Sequence, residues 1–441
     1  MADNVVSLIR YHGIESVADA IRLCGGFAGL RSGDRVLIKP NLVGWDDQGP
    51  YPPWGVLTTS VVVEGLCRAL RDAGAGEISI GEGSVVCKTV GSSTGVIFDN
   101  LDYGKLTERY GARLIDFNTG EHDEIELSGG HKLKVSRHAL ECDFLVDVPV
   151  LKTHGQTKVS LGIKNLKGLL KSESKTFCHH ADGLLEELIC KLGKRLPPSL
   201  TMIDGIYGNE QGPLHFGRAH RMDLLIGSTD VYAADLLGAY ILGYVAGEVD
   251  HLRMWSEGEG RPTDISELEI RGGVDPEDVR RPLKWDWEWV EGLYPQAFAK
   301  KGIGGLYLPK YDSTLCTGCS YMFNPLMLAL LSLGGREYDG YEFLTGKKMR
   351  PSGRAAKTFL LGKCQCDLNG DNPDCGEAVP IRGCPPSMDR MLEALQNNGL
   401  PVSRVEYDNY RRHVMKRYLK RPEEYPLSDF YMGEMPGLGG L

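Results

Sequence analysis

The chain reads as an α/β protein: a doubly wound, mostly parallel sheet with a C-terminal cysteine-rich module. Three observations predict this. Short apolar runs alternate with segments of helical periodicity between Arg35 and Tyr244, the pattern of a parallel sheet covered by helices. Gly, Pro and Asn fall between the runs, where turns are needed. Six of the twelve cysteines crowd between Cys316 and Cys384.

The elements follow in order. Arg35–Lys39 is a short buried strand ended by Pro40, which cannot continue a ladder. Asp46–Pro53 is a Gly/Pro loop. Thr59–Ala73 has Val62, Leu66, Ala69 and Leu70 on one helical face, with Gly74 as the stop. Glu77–Gly81 is the next strand, then a helix over Leu101–Tyr110 and a strand over Arg113–Phe117. Ile125–Leu127 and Lys132–Val135 flank Gly129-Gly130 as a hairpin. Phe144–Val150 is a strongly apolar strand, Leu184–Leu192 an amphipathic helix, and Leu200–Ile206 and Met222–Gly227 two further strands. Asp230 suits the N-cap of a helix running to about Tyr244.

After Gly247 the pattern weakens. Trp285, Trp287 and Trp289 alternate, as on one face of a strand or a partly wrapped helix, which suits packing or a subunit contact in a homodimer. The division expected is an α/β domain over 1–310 that binds a small anionic molecule and an iron–sulfur region over 311–441.

Composition narrows the function. Of 441 residues, 42% are hydrophobic and 25% charged, the profile of a globular protein. The net charge of −9 argues against a nucleic-acid partner, because phosphate binding needs a basic face. The longest apolar stretch, Leu236–Gly247, has 12 residues and is too short to span a membrane. The first ten residues carry no signal-peptide pattern. The expectation is a cytoplasmic protein.

In such a compartment, clustered cysteines point to metal rather than disulfides. Cys316-Thr-Gly-Cys319 is a C-x-x-C pair, separated by 44 residues from Cys364-Gln-Cys366, with Cys375 and Gly383-Cys384-Pro385-Pro386 beyond. Four thiolates hold a [4Fe–4S] cluster or a structural zinc. The Cys-Pro signal and the lone C-x-x-C favour one [4Fe–4S] cluster on Cys316, Cys319, Cys364 and Cys384. Cys366 competes with Cys364, and Cys375 is a spare thiol or a ligand in another arrangement. Ser387 caps a helix over Met388–Gln396. Cys24, Cys67, Cys87, Cys142, Cys178 and Cys190 are scattered and read as small buried hydrophobes.

The second constellation follows the strand at Phe144–Val150. Lys152, His154, Lys158, Lys164 and Lys167 fall in one short window, with Asn165 between the last two and Lys171, Lys175, His179 and His180 beyond. Ligands of open α/β sheets bind beyond the carboxyl ends of strands, so this excess of cations suggests a phosphate or carboxylate pocket. Lys39, Asn41 and Asp204 lie at other strand ends and join the candidate binding set with Lys158, Asn165 and Lys167. Lys152, His154, Lys164 and His179 are the candidate catalytic groups. A solvated basic helix is the competing reading, and the His179-His180 pair is equally compatible with a structural role. Gly81-Glu-Gly-Ser84 is a weaker anion cradle, and no dinucleotide fingerprint occurs.

Val36–Leu42, Val148–Gly168, Ile203–Ile206 with Gly212-Pro213, and the Gly227–Gly243 helix resemble the family called domain of unknown function 362. The resemblance spans about residues 30–245, with Leu151–Gly168 its most specific part. It implies an iron–sulfur protein, since many members look like one and often carry a ferredoxin module. This chain lacks the dense C-x-x-C-x-x-C-x-x-x-C-P run of such modules, which leaves room for one cluster. Ser160-Leu-Gly-Ile-Lys164 also looks somewhat like the Gly-rich segment of lactate racemase-like proteins, which bind a nickel-pincer nucleotide through a lysine. That is analogy at the level of fold. Together these readings predict an iron–sulfur oxidoreductase acting on a small organic anion, with a ferredoxin-like redox partner and room for a second organic cofactor or nucleotide-like anion. The alternatives are a cofactor-dependent isomerase or lyase with a structural metal, and a cluster carrier without turnover.

Overall fold

Val36 and Ile38 enter one buried cluster and Leu37 the other; Val146 and Val148 likewise separate from Leu145. Successive strand residues point to opposite faces, so a sheet with apolar residues on both faces must be covered twice. In the computed structural model, which describes residues 4–45, 52–86, 91–212 and 217–433 (without the side chains of 324, 325, 407, 410 and 411), that is the arrangement. One face carries the helices Glu15–Cys24 and Ser60–Asp72, the other Leu185–Arg195 and Val231–Ile241.

The main sheet has ten strands: β1 (Val5–Arg10), β2 (Arg35–Pro40), β3 (Glu77–Glu82), β4 (Arg113–Asp116), β5 (Phe144–Val148), β6 (Val150–His154), β7 (Lys158–Ser160), β8 (Leu200–Glu210), β9 (Arg218–Ser228) and β10 (Glu269–Arg271). Their order is β10-β1-β9-β8-β5-β2-β3-β4, with β6 beside β8 and β7 beside β6. The pairs β1–β9, β8–β9 and β6–β7 are antiparallel and the rest parallel. The sheet is thus mostly parallel, as expected. From β2 the chain steps outward to β3 and β4, then returns to place β5 on the other side of β2. The crevice between β2 and β5 is therefore a topological switch point, where open α/β sheets bind ligands. Lys39 of β2 stands opposite Asp147 of β5 in the register.

A second sheet of four parallel strands runs in chain order: β11 (Gly304–Tyr307), β12 (Glu337–Leu344), β13 (Lys357–Leu361) and β14 (Glu377–Ile381). Its residues Phe343 and Phe359 belong to the same buried cluster as Val36, Ile38 and Trp54. The C-terminal segment is pinned to the main sheet by stacking of Tyr418 on Trp54 and of Tyr425 on Tyr207. No helix among the described residues is long and apolar enough to cross a membrane.

Several expected elements differ in detail. The apolar run after Phe144 is two strands, because Pro149 has no N–H to extend the ladder. The helix expected over Leu101–Tyr110 is two short helices, Thr94–Asn100 and Gly104–Tyr110. The hairpin forms as His122–Glu126 and Lys132–Ser136, with Gly129 and Gly130 both at positive φ. Asp230 caps its helix by accepting from the amides of Tyr232 and Ala233, and Ser387 caps Met388–Asn397. The Trp285–Trp289 alternation is neither strand nor helix: only Trp289 joins a two-residue strand, and its ring meets Tyr311 edge-on. Most of the Asp46–Pro53 loop, Cys87 and Pro213 lie outside the described residues.

Candidate functional site

The site begins where β2, β3 and β5 end. Lys39, only 1% exposed, donates from Nζ to Glu82 Oε2 at 2.6 Å and to Asn165 Oδ1 at 3.1 Å. Glu82 also accepts from the amides of Leu42 and Gly83, at 2.9 and 2.7 Å. Asn165 donates to Asp147 Oδ1 at 2.8 Å and accepts from Asn41 Nδ2 at 2.8 Å. Asn41 in turn accepts from Lys152 Nζ at 2.7 Å, which also donates to the Val56 carbonyl at 2.8 Å. One buried network thus joins Glu82, Lys39, Asn165, Asn41 and Lys152. Its packing requires Gly168, where a Cβ would stand 2.6 Å from Lys39 Nζ.

Asn165 and Lys164 are held by the short helix Gly162–Asn165. Its first amides are satisfied by Asp235, which accepts from Gly162 N at 2.7 Å and Ile163 N at 2.9 Å. This buried carboxylate, pushed up to about 7 by burial, anchors the segment that carries the lysines.

Above this floor lies a cavity of about 260 Å³. Its walls include Lys39, Asn41, Lys152, His154, Lys164, Asn165, Lys167 and His179, all sequence candidates, together with Glu82 and Lys175. Lys167 Nζ lies 2.8 Å from His179 Nε2 and 3.2 Å from Thr317 Oγ1. His179 Nδ1 lies 2.6 Å from the Ser313 carbonyl. A carbonyl only accepts, so Nδ1 carries the proton and Nε2 accepts from the lysine. His154 has the opposite tautomer: its Nδ1 accepts from Gln156 N at 3.0 Å, leaving the proton on Nε2. Lys175 donates to the Gly83 carbonyl. The Lys164 amine has no hydrogen-bond or ion-pair partner among the described residues.

Crowding of cations out of water shapes the electrostatics. Burial, then Lys39, lowers the Lys152 ammonium to about 7. Burial lowers Lys175 to about 8. Lys164 is held well below its ordinary range by burial, then by Lys167 and Lys152. Burial also keeps His154 and His179 neutral, and drives Asp147 well above the carboxylate range. Glu82 is the one carboxylate among the described cavity walls, against five lysines. Such a surface is short of negative charge, and an anionic ligand supplies it.

The structure does not bring two of the binding candidates to the cavity. Asp204 is spent on backbone: it accepts from Thr59 N at 2.7 Å and Ile206 N at 3.1 Å. Lys158 stands at the start of β7 with φ of 57°, opposite His154 in the ladder, and is not a cavity residue. The histidine pair also divides: His179 is buried in the site, whereas His180 is exposed and pairs with Asp182 at 2.9 Å. Asp147 and Thr317 are not among the sequence candidates, and Glu82 enters only through the Gly81–Ser84 turn, read as a weaker anion cradle. An acid inside the apolar strand Phe144–Val148 is the one signal the sequence offers for Asp147.

The cysteines divide into two groups. Cys366 and Cys375 are buried in a small apolar cluster with Leu344 and Leu360, and their thiols face the carbonyls of Leu360 and Asn369. Cys316, Cys319, Cys364 and Cys384 are more open; Cys319 feels the charge of the other three and Cys364 that of Cys316 and Cys384. The Cys319 thiol lowers Cys316 by hydrogen bonding to it. Gly362, at φ of 87°, opens the helix Gly362–Asn369 directly after β13 and lies against Cys319; a Cβ there would stand 3.2 Å from its Sγ. No three Cys, His, Asp or Glu side chains among the described residues are gathered tightly enough to hold a single metal ion. The four thiols come from three separate chain segments, and thiolates are the donors of structural zinc and of iron–sulfur clusters alike. Cys316 and Cys384 line the lysine cavity itself.

Known proteins match parts of this chain. Two solved structures share its outline only loosely. The lactate racemase apoprotein from Thermoanaerobacterium thermosaccharolyticum has a TM-score of 0.34 and 14% identity, over 54% of this chain and 56% of that one. A structural-genomics protein from Thermotoga maritima has a TM-score of 0.31 and 14% identity, over 55% and 58%. The chain thus spans little more than half of either. A curated relative, the thylakoid-associated protein sll1697 from Synechocystis sp., is 30% identical over 249 residues, 54% of this chain and 74% of the relative. The family model described as domain of unknown function (DUF362) matches residues 36–240, which hold β2 to β9 and every lysine and histidine of the cavity. The chain belongs to the domain of unknown function 362 family.

Proposed function

We propose that the protein is an iron–sulfur oxidoreductase acting on a small organic anion. The observation that carries this reading is the shared cavity: Cys316 and Cys384 line the same space as Lys152, His154, Lys164, Lys167 and His179. A [4Fe–4S] cluster held by Cys316, Cys319, Cys364 and Cys384 would supply single electrons next to the bound anion. Lys152 and Lys167 are fixed by Asn41 and by His179 and Thr317, so they meet an anion without reorganising. His154 offers its Nε2 proton to the ligand. About 260 Å³ is small beside the ~300–1,000 Å³ of sites for drug-sized ligands, which favours an organic acid over a nucleotide. Cys364 and Cys384 are exposed, which supports electron entry from a ferredoxin-like partner on that side.

The test is iron, sulfide, zinc and nickel content with a visible spectrum, on protein purified without oxygen. About four irons and four sulfides, with absorption that bleaches on reduction and a potential that shifts on adding oxalate, support the proposal. Stoichiometric zinc and a colourless sample replace it with a non-redox reading of the lysine cavity.

A further inference from the structure

Five lysines line the cavity, and four are already engaged. Lys39 is paired with Glu82, Lys152 is held by Asn41 and the Val56 carbonyl, Lys167 by His179 and Thr317, and Lys175 by the Gly83 carbonyl. Lys164 is the exception: its amine borders the cavity with no hydrogen-bond or ion-pair partner among the described residues. Its stem is positioned by Asp235 through the amides of Gly162 and Ile163, so the amine is presented by a rigid turn rather than a loose side chain.

An ammonium ion without protein acceptors in a partly desolvated cavity is disfavoured relative to the neutral amine. The charges nearby act the same way. Lys152 and Lys167 disfavour a further cation at Lys164; Glu186 opposes them, but its carboxylate is engaged by His251 at 2.6 Å. A half-buried amine beside other cations is the arrangement that turns lysine into a nucleophile. The neighbouring cations meanwhile suit a carboxylate.

We infer that Lys164 forms an imine with the carbonyl carbon of a small 2-oxo acid whose carboxylate is held by Lys152 and Lys167. The Nζ lone pair attacks the carbonyl carbon and forms the C–N bond. The carbonyl oxygen leaves as water, taking the two protons of the amine, so no oxidant or reductant is consumed. The Nε2–H of His154 is the donor available to polarise that oxygen as it accumulates charge. The inference rests on reading the cavity as an organic-anion site and is independent of any group on the cysteines.

The experiment is reductive trapping of the full-length protein with pyruvate and, separately, 2-oxoglutarate in the presence of cyanoborohydride, followed by peptide mapping. Oxalate, which has carboxylates and no ketone, is the second probe, read by thermal shift on the wild type and on Lys164→Arg. The expected result is one reduced adduct on Lys164, forming at least about tenfold faster than on exposed lysines, suppressed by oxalate and lost in Lys164→Arg. Adducts spread over surface lysines, or an equal yield from Lys164→Arg, overturn the inference. Oxalate stabilising both proteins without any Lys164 adduct overturns the imine but leaves the anion site standing. No oxalate response and no adduct overturn both.

Discussion

Lys167 Nζ meets His179 Nε2 at 2.8 Å, with the far side of the ring anchored on the Ser313 carbonyl at 2.6 Å. The imidazole is therefore a fixed acceptor that spans from the main-sheet region to the segment entering the Cys316–Cys319 turn. Removing it leaves a buried ammonium and a half-buried carbonyl each short of a partner. His179→Ala is expected to cost about 1–3 kcal/mol in urea unfolding and to weaken oxalate binding. An unfolding midpoint and affinity equal to wild type would show that the contact does neither.

The Lys39–Glu82 pair lies out of water, with side chains 1% and 3% exposed. Breaking a buried pair by removing one member strands a charge, at a cost of about 3–5 kcal/mol. Glu82→Ala should show a loss of that order. The double variant Lys39→Met/Glu82→Leu should recover part of it, and only part, because Glu82 also satisfies the amides of Leu42 and Gly83. A double variant less stable than Glu82→Ala contradicts the account. Gly168→Ala should behave like Glu82→Ala, since its Cβ would press on both members of the pair.

Lysine titration sets a pH dependence. The folded state holds Lys152 near pH 7 and Lys175 near pH 8, against about 10.4 when unfolded. Between those values the unfolded chain binds more protons, so these two groups make stability rise with pH. Buried thiols act in the opposite sense above about pH 8.5, where unfolded cysteines ionise and Cys67 and Cys142, raised to about 12 and about 11, do not. Asp147 and Asp235, raised by burial, act against the lysines below their own folded pKa values, so the lysine contribution is read as a difference between pH 7 and about 8.5. There, the stability of the ligand-free wild type should rise with pH relative to that of Lys152→Met. Anion binding has the reverse trend, because it favours the ammonium forms: oxalate affinity should fall by up to about tenfold per pH unit per proton taken up. Isothermal titration in two buffers of different ionisation heat measures that proton count; a count of zero refutes the linkage.

The two cysteine groups separate by substitution. Cys316→Ser, Cys364→Ser and Cys384→Ser should each lower iron content sharply in protein made without oxygen. Cys366→Ser and Cys375→Ser should retain it while losing stability, because each puts a hydroxyl into a small apolar cluster. Iron retained in Cys364→Ser and lost in Cys366→Ser would reverse the assignment.

Local and periodic features are legible in the linear chain. The β2, β3 and β4 runs, the helix after Thr59, the hairpin at Gly129-Gly130 and the caps Asp230 and Ser387 depend on near-neighbour chemistry, which a linear pattern carries. The strand Val5–Arg10 and the parallel sheet over Gly304–Ile381 are not legible there, because their pairing is with distant segments and their alternation is weak.

The same division holds at the site. The sequence alone determined that cations gather after Val148 and cysteines after Leu315, because both are matters of residue type and spacing. Only the tertiary structure decided which face which. It set Lys39 against Glu82 across 43 positions and Asn41 against Lys152 across 111. It sent Asp204 to cap backbone, turned Cys366 into a core while leaving Cys364 open, and brought Cys316 to the lysine cavity across about 150 positions of chain. The reason is physical: spacing constrains only groups within a turn or two of one another, whereas partnership across a sheet depends on register and crossover, which no local pattern encodes.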